Sequence, residues 1–559
     1  MSTLKFLLPF HWVKVFPALV LLFVAGCNDA ILEEEQQPVK DRDKLQLKEL
    51  LSQVNLESGV IIVQREGSVQ DALDAAKPGN TIYIEPGTYK EALQVDKPDI
   101  RLVGLNMDKK EVIIENPGKA RKGIYLKDGR HQVEVENIQF RGFPEENAGV
   151  AQLKRSKRDR IKSFLGMSRE DLGKGIAHYQ FELRLGEGDY DVVRLHRVVK
   201  ERRPYRPVHT RGDIFMIHGA AQDFDDIFLT AGAEQINEQT SAPYYMASRN
   251  IDVWGIDMGW TMVPMETTDF SFMQGWGIEK DVDHTLDAMV LSRLIRGITG
   301  QSFSRMNLLG FSYSVNVAYG AAGRETQLHS ILRHIKGIIP VDGEIKYDLP
   351  KYEELRQASC GVAADAKANL ESGMYHDPMG LGFINLSQLA LNAPNDPSPI
   401  PDFEGLTNKQ AIMAVASSPR DTISYWHFIG GNLEEFYYTD VGRFIRLGAG
   451  ISPYMPQQIR YETATARCDQ DDVSYDDHIG DISVPVFYLG ARGGTGEIGY
   501  YSSSLTSSSD VTHHNVTVPG KKMVNDYGHA DLWMAKNAGE LVWSQLYDWL
   551  VKHSGRKRW

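Results

Sequence analysis

The pentapeptide Gly310-Phe311-Ser312-Tyr313-Ser314 follows the apolar run Met306-Asn307-Leu308-Leu309 and precedes a helical stretch at 315–322. A serine on a sharp turn between a strand and a helix has its hydroxyl lifted clear of the sheet, and small residues are needed where strand and helix crowd together. Ser314 occupies the second small position, where glycine is commoner. In a chain with 50 glycines a five-residue match arises by chance, so its weight depends on its company. Two stretches supply it. His218-Gly219-Ala220-Ala221 comes directly after a strand-like run at 213–217, and Asp526-Tyr527-Gly528-His529-Ala530-Asp531 precedes a helix-like run ending near 550. A serine hydroxyl is a weak nucleophile until a histidine takes its proton and a carboxylate orients that histidine. The chemistry of such a set is acyl transfer.

These residues need a scaffold to bring them together. From about residue 175, apolar strand-like runs alternate with longer helical segments, which signals an α/β fold with a mostly parallel sheet covered by helices on both faces. Runs at 190–199, 213–217, 251–256, 306–309, 337–341 and 484–489 read as strands, and 282–298 reads as a helix. Between 347 and 481 about 135 residues separate two core strands, far more than a loop needs, so a large, mainly helical cap is expected there. Its aromatics, Trp426, Phe428, Phe436, Tyr437 and Tyr438, either line an apolar or sugar-stacking pocket or, for most of them, form the cap's own core.

The order serine, acid, histidine, together with the His-Gly turn and the late Gly-His, resembles the α/β-hydrolase superfamily over residues 175–555. In Gly188-Asp189-Tyr190-Asp191-Val192-Val193-Arg194-Leu195-His196-Arg197 and the helix from Glu279 it is similar to the acid-lipase branch. That resemblance implies that Ser312 is the nucleophile and His529 the base. It also implies that the backbone N–H groups of Ala220 and Tyr313 hold the oxyanion while His218 shapes the turn. It puts the acid just after the strand before the histidine segment, where Glu497 is the first carboxylate, or at Asp342, a position some lipases of the fold use. Glu497 is preferred, because an aspartate at a strand end is common without a catalytic role. The remaining histidines read as structural, His284 on a helical face and His513-His514 in a strand-like run. No metal-ligand spacing is evident among them, and no cofactor is expected.

Ahead of this region, short β-rich runs separated by turns fill 59–143. The stretch from Ser68 to Tyr89 resembles the opening helix and first coil of a right-handed parallel β-helix of the pectin-lyase-like kind. About three coils fit into residues 58–144, and so few repeats must bury an open end against a neighbour. Residues 145–174 are rich in Arg and Lys and read as a basic connector. Ser168-Arg169-Glu170-Asp171 there looks like a helix start.

At the other extreme, Lys5 and Lys14 flank a mostly apolar stretch that ends Val24-Ala25-Gly26-Cys27. This reads as a signal peptide over 1–26, and its end resembles the bacterial lipobox, which implies lipidation of Cys27. The polar residues that follow, 27–57, read as a flexible tether. Localisation at the bacterial cell envelope, on the periplasmic or surface face of a membrane, is the expectation. Of the three cysteines, Cys360 and Cys468 are left to pair or to stay as buried thiols.

A formal net charge of −13 and the lack of a basic stripe with interleaved aromatics set nucleic acid aside as a partner. The function expected is a lipid-anchored serine hydrolase, a carboxylic ester hydrolase of the esterase or lipase kind, acting on a small-molecule, glycan or lipid ester. A serine nucleophile speaks against dehalogenase or epoxide hydrolase chemistry, which uses an aspartate. The alternative is a surface-anchored glycan-binding protein whose hydrolase scaffold is inactive, which a missing acid would favour. Polysaccharide lyase chemistry fails on size, since three coils leave little groove and no evident Ca²⁺ site.

Overall fold

A computed structural model describes residues 42–51, 54, 56, 59–105, 110–127, 133–145, 150–152, 164–417 and 433–554. The expected signal peptide, Cys27, most of the expected tether, half of the expected connector at 145–174, and Trp426 and Phe428 lie outside the described residues.

The β-rich runs after residue 59 pair in parallel, and only the first connection, between Val60–Val63 and Thr81–Ile84, carries a helix among the described residues. Val60–Val63, Thr81–Ile84, Ile100–Gly104, Val133–Glu136 and Val150–Gln152 stack into one sheet, with Thr81 opposite Arg101 and Ile100 opposite Val133. Gly87–Lys90, Val112–Glu115 and Ile138–Arg141 form a second sheet, and Leu93–Val95 with Ile124–Leu126 a third. Each circuit returns the chain one strand along, so Ile82, Leu93, Ile100, Leu102, Val112, Ile114 and Val133 meet in a shared core. Ser68 caps the helix Val69–Ala75 by accepting the Asp71 N–H at 3.0 Å, and Val69, Ala72 and Leu73 join that core. The other face of the first sheet is buried too. Ile62, Tyr83 and Val103 share an apolar cluster with Tyr179, Phe181 and Leu195 of the larger sheet, so the open side of the stack is sealed by the rest of the chain.

The larger sheet has nine strands in one path: β1 (Phe164–Gly173), β2 (Ile176–Arg184), β3 (Val192–Arg203), β4 (Gly212–Ile217), β5 (Ile251–Asp257), β6 (Met306–Phe311), β7 (Ile335–Val341), β8 (Val486–Ala491) and β9 (Val511–Val516). In space they run β1-β2-β3-β5-β4-β6-β7-β8-β9, and a short strand, Arg206–Pro207, pairs with β3. The first three strands are antiparallel to their neighbours, and from β5 onward every pairing is parallel. The parallel strands β4, β5, β6 and β8 are buried at every position, as a sheet covered on both faces requires. Helices Ile278–Ile298 and Ser314–Thr326 pack on this sheet and join its core.

Two expectations change here and one left open is decided. Arg42–Leu51, expected in the flexible tether, forms a helix whose Leu47 and Leu51 are buried in the core. Ser168-Arg169-Glu170-Asp171 does not begin a helix; it lies in β1, an edge strand paired with β2, so residues 164–173 belong to the sheet and not to a connector. Such an edge exposes one side and is kept from pairing further by charged side chains, which removes the apolar alternation that would mark it as a strand. Cys360 and Cys468, which the sequence left open, form a disulfide, a separation of 108 residues closed by one bond. It joins the helices Glu353–Glu371 and Gln457–Cys468, the first and last of five helices of eight or more residues described between β7 and β8. The other three are Met379–Asn392, Asn408–Ala416 and Val441–Gly450. Phe436 is buried against Phe444 in this insertion, while Tyr437 is exposed.

Candidate active site

The strand register determines which residues meet. Phe311, the last residue of β6, lies opposite Val341, the last of β7, so Ser312 and Asp342 leave the sheet side by side at its carboxyl edge. The Ser312 N–H donates to the Val341 carbonyl at 2.9 Å. Ile217, the last residue of β4, lies opposite Gly310, which sends His218 out beside them. Open parallel sheets hold their ligands at this edge.

Ser312 adopts φ +60°, the left-handed region that a side chain rarely enters. Ala221 (φ +55°) and Asp342 (φ +45°) do so as well, so backbone strain is concentrated in the three strand exits that converge here. The turn at Ser312 brings the Ser314 carbonyl so close to residue 310 that any Cβ there would overlap it, so position 310 requires glycine.

Asp342 is fully buried and its carboxylate accepts four contacts. Oδ1 takes the Ala491 N–H at 2.8 Å, Thr495 N–H lies 3.2 Å from each oxygen, and His529 Nδ1 donates to Oδ2 at 2.6 Å. Three N–H donors thus converge on this one buried carboxyl and fix its orientation. With Nδ1 occupied as a donor, the lone pair of His529 sits on Nε2. The imidazole stacks on Phe311, the residue before the serine, with ring centroids 4.5 Å apart. Glu497 is not placed to do this. It lies in the first turn of the helix Gly496–Ser504, largely exposed, and its carboxylate pairs with Arg492 at 3.7 Å. Asp342, and not the preferred Glu497, is the carboxylate that meets His529.

The His-Gly turn is tied directly to the serine turn. The Ser314 hydroxyl donates to the His218 carbonyl at 2.5 Å, a bond that glycine at 314 cannot make. His218 is buried. Its Nε2 accepts the Met258 N–H at 3.3 Å, so Nδ1 carries the hydrogen and donates to the Gly219 carbonyl at 2.9 Å. Burial also lowers its pKa, and a neutral imidazole with both nitrogens engaged holds the turn rather than moving protons. Ala220 sits on that turn. Tyr313 directly precedes the helix Ser314–Thr326, at whose start the N–H groups lack partners within the helix and face the positive end of its dipole.

Three supporting residues escaped the sequence reading. Asp531 accepts the Gly528 N–H at 2.8 Å and the Thr439 hydroxyl at 2.5 Å, which fixes the His529 loop to the insertion. Burial raises its pKa to about 7. Arg443, also from the insertion, donates to the carbonyls of Ala231, Thr240 and Met534. Asp281 lies beneath Tyr313, accepting from its hydroxyl and from Trp260 Nε1, both at 3.4 Å. Asp531 stands in the same motif as His529, three residues after Gly528, but its partner Thr439 lies 92 residues away.

No family model matches the chain, and no curated protein matches it in sequence. Among solved structures it is similar to a candidate lipase from Sulfolobus solfataricus, with TM-score 0.47 and 18% identity over 68% of this chain and 95% of that one. It is also similar to a monoglyceride lipase from Saccharomyces cerevisiae solved with a substrate analog, with TM-score 0.36 and 12% identity over 72% and 100%. A thermophilic esterase from Thermogutta terrifontis gives TM-score 0.32 and 12% identity over 67% and 99%. At such scores a functional reading must stand on the geometry of Ser312, His529 and Asp342.

Proposed function

We propose that the chain is a serine hydrolase of the α/β-hydrolase kind that cleaves carboxylic esters through an acyl-enzyme on Ser312. The observation that carries this is the His529 Nδ1 to Asp342 Oδ2 hydrogen bond of 2.6 Å, formed next to a serine held at φ +60°. His529 Nε2 takes the Ser312 proton as Oγ attacks the ester carbonyl carbon, and the carbonyl oxygen becomes an anion held by the N–H groups of Ala220 and Tyr313. Collapse expels the alcohol with the proton from His529, leaving the acyl group on Ser312. Water, deprotonated by His529, then attacks the acyl carbon and releases the acid. The inactive-scaffold alternative drew its support from a missing acid, and the Asp342 carboxylate beside His529 speaks against it.

Turnover of p-nitrophenyl esters of increasing chain length, with fluorophosphonate labelling of Ser312, tests the reading. Activity and labelling should both vanish in Ser312→Ala. A wild-type chain that neither hydrolyses any ester nor takes the label would overturn it.

The finer parts of the reading belong with this proposal. The parallel stack at 58–144 is a short right-handed β-helix of the pectin-lyase-like kind, and the hydrolase domain starts at β1. The insertion at about 347–481 is a cap, as its bonds from Thr439 to the histidine loop and from the Ser452 N–H to the Ala221 carbonyl at 2.9 Å support. The chain is a lipoprotein exported through its signal peptide and held at the cell envelope by a membrane anchor on Cys27. The Cys360–Cys468 disulfide fits an oxidising compartment. Incorporation of a labelled fatty acid that is lost in Cys27→Ser is the expected result, and an unlabelled wild-type chain would remove the anchor.

A further inference from the structure

At the opposite edge of the sheet, around the amino ends of β4, β6 and β7, lies a cavity of about 600 Å³. One wall is the first circuit of the parallel stack, including Ile62, Gln64 and Ser68; the other is the larger sheet and its helices. Six cationic side chains line it: Arg211, Arg293, Arg296, Arg305, Arg333 and Lys336. Three carboxylates, Glu66, Asp71 and Asp213, face them. Asp213 is already engaged, by Arg296 at 2.9 Å and Lys336 at 2.7 Å.

The other four arginines have no carboxylate within ion-pair distance among the described residues. Arg293 is the telling one, because it is only 1% exposed. Its Nε donates to the Phe303 carbonyl at 3.0 Å, and one terminal nitrogen to the Arg333 carbonyl at 3.3 Å and to His334 Nδ1 at 2.5 Å. All of these partners are neutral. The nearby buried carboxyl of Glu325 is taken up by the N–H groups of His334 at 2.6 Å and Ile335 at 2.9 Å. Arg305 bonds the Ser330 carbonyl at 2.5 Å, and Arg333 the carbonyls of Leu328 and Thr326, both at 3.0 Å. Burial lowers the pKa of Arg293 to about 9 and also lowers that of Arg305; the Glu325 carboxyl opposes this in both, and neighbouring arginines add to it. A guanidinium removed from water with no carboxylate bonded directly to it is costly, and several converging on one cavity multiply the cost. An oxyanion inside would relieve it, since the planar guanidinium fork matches phosphate and carboxylate oxygens.

We propose that this cavity between the parallel stack and the hydrolase sheet is a binding site for a small ligand carrying a phosphate or carboxylate group, with Arg293, Arg305 and Arg333 as its anion-holding residues. The site is separate from the chemistry, because Ser312 lies at the carboxyl end of β6 and Arg305 directly precedes its amino end. It gives the stack a role in addition to closing the core, since neither module alone encloses the space.

Inorganic phosphate and citrate, each titrated into the mature full chain with sodium chloride holding ionic strength constant, test this. The expected result is saturable binding of one anion per chain by calorimetry, with a rise in unfolding temperature that chloride does not reproduce. The preference between the two identifies the anion class. Affinity should fall at least tenfold in Arg305→Gln and in Arg333→Gln, with ester hydrolysis at Ser312 unchanged. Protection of wild-type Arg305 and Arg333 from phenylglyoxal by the bound anion needs no variant and should accompany it. No saturable binding of either anion, or binding and protection that ionic strength alone accounts for, would overturn the proposal.

Discussion

The Ser314 hydroxyl donates to the His218 carbonyl across 2.5 Å, linking the helix that follows Ser312 to the turn that carries Ala220. Ser314→Ala leaves a buried carbonyl without its donor, a loss of about 1–3 kcal/mol of stability. Because the turn is then held less firmly, kcat should fall with little change in KM, by less than the ~10²-fold that follows loss of a whole oxyanion donor. Urea denaturation and ester kinetics on the same variant measure both. Unchanged stability and unchanged kcat would show that the bond positions nothing.

Asp342→Asn should reduce kcat by about 10⁴, the size of effect seen when an orienting aspartate is replaced in a serine triad. Glu497→Gln should leave kcat within about twofold of wild type, as for most exposed substitutions. The reverse pattern would return the acid to Glu497.

Burial raises the Asp281 pKa from 3.8 to about 7. The folded chain therefore holds this proton more tightly than the unfolded chain. Below about pH 4 both states are protonated and Asp281 has no effect; as pH rises from there towards 7, holding the group in the fold becomes increasingly costly. The full difference, on the order of 4 kcal/mol, is reached above pH 7. Stability measured from pH 4 to 8 should thus decline less in Asp281→Asn than in wild type, with the two curves separating between pH 4 and 7. Parallel curves would place the proton elsewhere.

The disulfide closes a separation of 108 residues across the insertion. Replacing both cysteines by serine should lower stability by about 2–5 kcal/mol through the freedom regained by the unfolded chain. Denaturation of wild type with and without reductant, beside the double variant, checks this. A variant as stable as the oxidised chain would mean that the helices at 353–371 and 457–468 hold together without the bond.

Much of the scaffold was legible because it is written in local patterns. The runs at 213–217, 251–256, 306–309, 337–341 and 484–489 are apolar without alternation, as strands covered on both faces must be, and each falls in a parallel strand of the sheet. The turn at Ser312 was legible from its small neighbours. The edge strand at 164–173 was not, because its charged side chains imitate the first turn of a helix, and only the hydrogen bonds from β2 make it a strand.

The sequence by itself determined which residue types were at hand: a serine between strand and helix, a Gly-His before the last helices, two candidate carboxylates and two cysteines. Which carboxylate reaches His529 was decided by strand register. Phe311 opposite Val341 and Val341 opposite Leu489 bring Asp342 between the serine turn and the N–H groups of Ala491 and Thr495, while a helical turn carries Glu497 away to Arg492. The reason is physical. Backbone patterning acts over a few residues, whereas a 2.6 Å bond across 187 residues exists only once the sheet has aligned both ends.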